Sequence, residues 1–188
     1  FALLQQQKSA EEALERLNRA IGYDPSFGDA YVLKSYIRLE VLPNLEESLL
    51  AARAAVQHAP QNPDSHYSLA LALTKKGQYQ EAEQAMQQAL VVNPAYGDVY
   101  FSLGELYADH LNEPQKSVDA FRRYLELGGQ SERAIRAVQG SACLLYTSDA
   151  ADDLLCVDLG GRRIIKKKQK KQTHTKPLRY TQHKHHIQ

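Results

Sequence analysis

The sequence predicts an all-α chain, a right-handed superhelical solenoid of antiparallel helix pairs. About three and a half pairs fill residues 1–140, and a disordered basic tail follows over 141–188. Three observations carry this. Pro25, Pro60 and Pro94 recur at steps of 35 and 34 residues. A small residue opening each second helix recurs as Ala13, Ser48, Ala82 and Ser117, at steps of 35, 34 and 35. The same register then gives Leu17, Ala52, Met86 and Phe121, followed by Ala20, Ala55, Ala89 and Tyr124. Positions that keep one period in every unit mark a stacked array, in which each unit buries its apolar face only against its neighbours.

The expected units are a partial repeat at 1–27, then 28–62, 63–96 and 97–130, with a capping or shortened helix at 131–140. Phe1 lies inside a helix, and FALLQQQ reads as the end of a first helix that begins upstream. Ser9 with Glu12 forms a capping box for the second helix, running from Ser9 to Gly22. Asn44 with Glu47 and Asn112 with Gln115 repeat that device. Asp29, Asp64 and Asp98 each follow a repeat proline by four residues, placed to N-cap the next helix. Residues 63–94 give the clearest unit. Leu69, Ala70 and Leu73 share one face of a helix, and Tyr79, Ala82, Met86 and Ala89 recur at helical spacing along the next. Lys76-Gly77-Gln78 turns between them. Pro94 ends the unit, because proline opposes helix continuation. Pro43 and Pro114 sit in or just before first turns, Gly128-Gly129 stops the last repeat helix, and Ser131 to Val138 begins one more.

These residues resemble the tetratricopeptide repeat family, whose unit is a 34-residue helix–turn–helix. Leu69, Ala70, Gly77, Tyr79, Ala82, Ala89 and Pro94 match its pattern in the central unit; Tyr100, Leu103, Gly104, Tyr107, Phe121 and Leu125 match it in the next. His66 departs from the usual aromatic, and Lys34, Ser35 and Arg38 replace the usual Leu, Gly and Tyr. The resemblance covers residues 1 to about 140. It implies a concave groove lined by the first helix of each unit. Carried over position by position, the groove residues are Asp29, Val32, Tyr36 and Leu39; Asp64, Tyr67, Leu71 and Thr74; Asp98, Phe101, Glu105 and Ala108. Such a groove is aromatic and aliphatic with an acidic edge. It lacks the Lys and Asn clamp with which some family members hold a partner's terminal carboxylates, since Val32, Tyr36, Tyr67, Leu71 and Asp98 occupy those places. A basic or apolar segment of a partner protein suits it better. Leu39 and Leu71 are equally well explained as packing between units.

Charge divides the chain. Residues 1–141 hold 13 Lys and Arg against 18 Asp and Glu, net −5; residues 142–188 hold 10 against 4, net +6. The tail stretch CLLYTSDAADDLLCVDLGGRRIIKKK resembles the translation of a transposase-library sequencing adapter, with Cys143 to Ser148 back-translating to its transposon end. On that reading the native protein stops near Ser141. Lys166 to Lys171 as a nucleic-acid patch and His183, His185 and His186 as metal ligands are the rival readings, and Cys143 with Cys156 lacks the spacing of a zinc site.

Catalysis has little to build on. The repeats contain no phosphate-binding glycine loop, HExxH or GxSxG, and His58, His66 and His110 fall in separate units. The expectation is a non-catalytic scaffold that binds another protein, with no cofactor, metal, nucleic acid or small-molecule substrate. The alternative is a spacer or regulatory region of a larger multidomain protein. No stretch reaches the ~18 apolar residues of a membrane span. The compartment stays open between cytoplasm and periplasm, with cytoplasm the first expectation.

Overall fold

The computed structural model describes residues 2–146. Eight α-helices follow in order: α1 (Ala2–Tyr23), α2 (Gly28–Tyr36), α3 (Leu45–His58), α4 (Pro63–Lys76), α5 (Tyr79–Val92), α6 (Gly97–Leu106), α7 (Pro114–Glu126) and α8 (Glu132–Tyr146). No strand occurs among the described residues. The helices α2 and α3, α4 and α5, and α6 and α7 form the expected pairs, each pair packed on the next in chain order. The tail expectations fall on residues 147–188 and lie outside the described residues.

The period places the core. Ser48, Ala82 and Ser117 are buried, as are Ala52, Met86 and Phe121 one turn on, and Ala55 and Ala89 beyond them. Small residues facing one another bring the paired axes together. Ser48 Oγ donates to the Ser35 carbonyl at 3.0 Å, and Ser117 Oγ to that of Gly104 at 2.8 Å. A Cβ on Gly104 would lie 2.5 Å from Phe121 Cε1, so only glycine admits that ring. Burying Met86 and Phe121 each contributes about 1.5–3 kcal/mol.

The uneven steps of the period have a structural cause. Ser35 to Ser48 and Gly104 to Ser117 are 13 residues apart, whereas the equivalent Ala70 and Ala82 are separated by one residue fewer. The additional residue is absorbed in a π-helical turn, Ile37–Val41 after α2 and Tyr107–Leu111 after α6. Widening one turn in this way adds a residue without disturbing the packed faces on either side. The shorter unit closes instead on Gly77 at φ 82°, with Gly77 and Gln78 N–H bonding to Thr74 and Leu73 carbonyls. The same paired bonds recur at Gly128 and Gly129, onto Leu125 and Tyr124, as the two glycines predict.

Capping departs from expectation at five places. α1 runs unbroken through Ser9, whose hydroxyl donates back to the Gln5 carbonyl at 3.0 Å and caps nothing. No glycine or proline stands between Gln5 and Ala13 to end a helix there. In α1 it is Ala10 and Leu14 that are buried, while Ala13, Leu17 and Ala20 are only half-buried. Asp29, Asp64 and Asp98 lie inside their helices, because those helices start one residue earlier at Gly28, Pro63 and Gly97. In a first turn their charge still complements the helix dipole. Asn112 adopts φ 52° and closes the wide turn, leaving Glu113 as the N-cap of α7 without a side-chain bond. Asn44 does cap α3, accepting from the Glu47 N–H at 3.2 Å. α8 continues to Tyr146, past the expected end at 140.

The weakest-matching unit is repaired by polar pairs. Lys34 Nζ reaches Asn18 Oδ1 of α1 at 2.8 Å, Ser35 pairs with Ser48, and Arg38 Nε lies 2.6 Å from Glu47 Oε2. His66 does the work of the aromatic it replaces. Its Nε2 lies 2.9 Å from the Pro60 carbonyl, where Tyr31 and Tyr100 hydroxyls donate to the Pro25 and Pro94 carbonyls at 3.3 and 3.2 Å.

Candidate protein-binding face

The candidate residues sit on the first helices α2, α4 and α6, with Leu39 and Ala108 in the wide turns that follow α2 and α6. Their fates differ. Val32 is 5% exposed and Leu39 is 9% exposed, so both belong to the core. Leu71 is half-buried against the central cluster. Phe101 turns toward its own unit, its ring centroid 5.7 Å from Phe121 and 5.2 Å from Tyr124. Thr74 donates to the Ala70 carbonyl at 2.8 Å. Tyr36, Tyr67, Asp64 and Glu105 are half-buried, and Asp29, Asp98 and Ala108 exposed.

Two of the carboxylates are clasped from the N-cap of the next first helix. Asp29 Oδ1 accepts from Asn62 Nδ2 at 2.6 Å, and Asp64 Oδ1 accepts from the Tyr96 hydroxyl. Asn62 and Tyr96 occupy the same place, the N-cap two residues after a repeat proline. Each therefore holds the aspartate in the first turn of the preceding first helix. A third link joins the Tyr67 hydroxyl to Ser102 Oγ at 2.8 Å, and the Tyr67 and Tyr96 rings meet edge to face at 5.4 Å. Sequence reasoning missed Tyr96 and Asn62, although a side-chain donor two residues after two successive repeat prolines was the available signal.

These hydroxyls stay protonated. Burial pushes Tyr36 above the ordinary tyrosine range, with Asp64 adding in the same direction. Burial raises Tyr67 as well. Tyr96 rises through burial and then through its bond to Asp64, and Tyr107, which donates to Glu83 at 2.7 Å, behaves likewise.

At the far end, α8 enters the face. Arg133 Nη1 lies 3.2 Å from Glu105 Oε1, and Nη2 lies 2.5 Å from Asp109 Oδ1. Glu105 and Asp109 stay partly exposed, and the guanidinium bridges them.

The histidines are placed structurally. His58 stacks on Tyr31 with centroids 5.4 Å apart, and His110 on Tyr79 at 4.1 Å. Among the described residues no group of three His, Cys, Asp or Glu side chains is arranged to hold a metal ion, and no helix is long and apolar enough to cross a membrane.

Comparison with known proteins agrees with this architecture. A family model described as tetratricopeptide repeat matches residues 2–63 and 67–138. Anaphase-promoting complex subunit 3 of Schizosaccharomyces pombe is 26% identical over 145 residues, covering 77% of this chain and 22% of that protein. The human protein O-mannosyl-transferase TMTC3 is 28% identical over 138 residues, covering 66% of this chain and 15% of that one. The chain thus spans about a fifth or less of these curated relatives. Among solved structures, MamA superposes with a TM-score of 0.64 at 18% identity, covering 73% of this chain and 79% of that one. TTC0263, a thermophilic repeat protein of Thermus thermophilus, gives a TM-score of 0.59 at 19% identity, covering 72% and 74%.

Proposed function

Since the chain belongs to the tetratricopeptide repeat family, we propose that it is a non-catalytic scaffold whose first-helix face binds a segment of another protein. The supporting observation is the state of that face. Tyr36, Tyr67 and Leu71 remain partly exposed on it, while side-chain bonds from one first helix to the next hold the Tyr67 and Tyr96 hydroxyls in place. A pre-ordered surface with exposed aromatic area loses little entropy when a partner arrives. Nothing in the arrangement converges titratable groups on a reacting atom, and the reading assigns it neither cofactor nor small-molecule substrate nor nucleic acid.

A second reading has its own observation. The relatives are several times longer than the matched region, and one carries a transferase name. On that reading the repeats are a spacer or regulatory region of a larger protein.

The test uses the full chain immobilised on beads in three forms: native, Tyr36→Ala with Leu71→Ala, and Gln84→Ala with Gln88→Ala on the exposed side of α5. Proteins enriched from lysate on the native and α5 forms, and lost from the first-helix form while its helical circular dichroism is kept, support the scaffold. Equal capture by all three forms refutes the face and leaves the spacer.

A further inference from the structure

Resting on that reading of the first-helix face, we propose that its partner segment presents arginine, and that Glu105 and Asp109 receive the partner's guanidinium in the place Arg133 now takes.

The argument starts from the chemistry of the pair. Two carboxylates four residues apart repel one another along a helix. A single cation between them relieves that repulsion, and a planar fork with several donors reaches both oxygens where a point charge does not. Arg133 demonstrates the fit, with one terminal nitrogen on each carboxylate. It does so from exposed ground, with its own side chain 46% accessible and those of Glu105 and Asp109 39% and 44%. An interaction this wet is exchangeable.

The rest of the face points the same way. Asp29 and Asp64 keep their charge, but the clasps occupy an oxygen of each, whereas at the α6 end a guanidinium already shows that the carboxylates are within its reach. Asp98 is exposed there and enters no ion pair among the described residues. Asp98 and Glu105 both lie close enough to Tyr67 to influence its hydroxyl. An arginine brought to this end meets carboxylates together with a half-exposed tyrosine, whose ring also attracts a guanidinium. An acidic or phosphorylated segment meets like charge there from Asp98, Glu105 and Asp109, against the single cation Arg133. The repeat region's net charge of −5 over residues 1–141 steers in the same sense.

The probe is a fluorescein-labelled peptide, Ala-Arg-Ala-Ala-Arg-Ala, measured by anisotropy against the full chain, with its citrulline counterpart as the neutral isostere. The arginine peptide is expected to bind at least about tenfold more tightly than the citrulline one, the worth of a charge-assisted bond. Asp98→Asn with Glu105→Gln and Asp109→Asn should abolish that difference. Removing the same number of carboxylates on α1, by Glu11→Gln, Glu12→Gln and Glu15→Gln, should leave it intact. Arg133→Ala removes the internal competitor and should tighten binding about threefold or more. Equal binding of both peptides, equal loss in the α1 variant, or weaker binding by Arg133→Ala each overturns the proposal. Failure here stays distinct from failure of the scaffold reading. A captured protein released by the Tyr36→Ala, Leu71→Ala form but indifferent to the carboxylate variant overturns arginine recognition and leaves the face standing.

Discussion

Replacing Gly104 by alanine tests the closest approach in the fold. A Cβ there would lie 2.5, 2.6 and 2.8 Å from Cε1, Cδ1 and Cζ of Phe121, all one edge of a ring that is 1% exposed. The ring has nowhere to retreat, since Phe101 stands 5.7 Å from it, centroid to centroid. Overpacking usually costs about 1–3 kcal/mol, and with three ring carbons under 3 Å this site falls in the upper half, about 2–3 kcal/mol. Alanine recovers about 1 kcal/mol by its better helix propensity. The net expectation is a loss of about 1–2 kcal/mol, which lowers the melting temperature by about 2–8 °C. Urea titration followed by circular dichroism measures it, and Phe121→Leu supplies the control. That change alone costs about 1 kcal/mol. Combined with Gly104→Ala it should cost about 1 kcal/mol less than the two separate losses added, because the smaller side chain admits the new methyl group. A Gly104→Ala protein as stable as the native one, or strictly additive losses, refutes the packing of α6 on α7 described above.

Two further outcomes follow from the clasps and the tyrosines. Asn62→Ala removes both the cap of α4 and the bond to Asp29, and should lower stability by about 1–2 kcal/mol in the same titration; a change below about 0.3 kcal/mol would show that neither bond matters. Tyr36, Tyr96 and Tyr107 have folded pKa values raised above the ordinary value of 10.0, so above about pH 10 the unfolded chain sheds protons that the folded chain keeps. Their contribution is complete below that pH and declines as pH rises past it; melting temperatures taken across the range should fall more steeply for the native protein than for Tyr96→Phe, and parallel curves would refute the assignment.

What the sequence made legible was what repeats. The prolines, small residues and buried large residues recur because each unit solves the same packing problem, so Met86 and Phe121 were readable as core without coordinates. Features set by a single additional residue were not. Nothing in the composition of Ile37–Val41 or Tyr107–Leu111 announces a wide turn, and only the step of 35 instead of 34 records it. Ser9 looked like a cap because its local pattern is a good one, but a continuous helix outbid it where no breaker intervenes. The candidate face was half legible. Register identified which helices present it, whereas the side-chain direction that buries Val32 and turns Phe101 inward depends on neighbours that a pattern does not contain. Arg133 was invisible for a related reason, since its partners lie 28 and 24 residues away in the sequence.

The clasps have a mechanical meaning. Asn62 to Asp29, Tyr96 to Asp64 and Tyr67 to Ser102 all tie one first helix, or its N-cap, to the next. Behind them, α5 is tied to the next pair by the Tyr107 hydroxyl on Glu83 at 2.7 Å, by the His110 ring stacked on Tyr79 and by Lys116 at 3.9 Å from Glu83. With both helices of successive pairs tied, the proposed binding face holds Tyr36, Tyr67 and Asp98 at set intervals, like the graduations of a ruler. On the proposed reading of this face, a partner segment is measured against that scale, and one whose side chains fall at another interval makes fewer of its contacts.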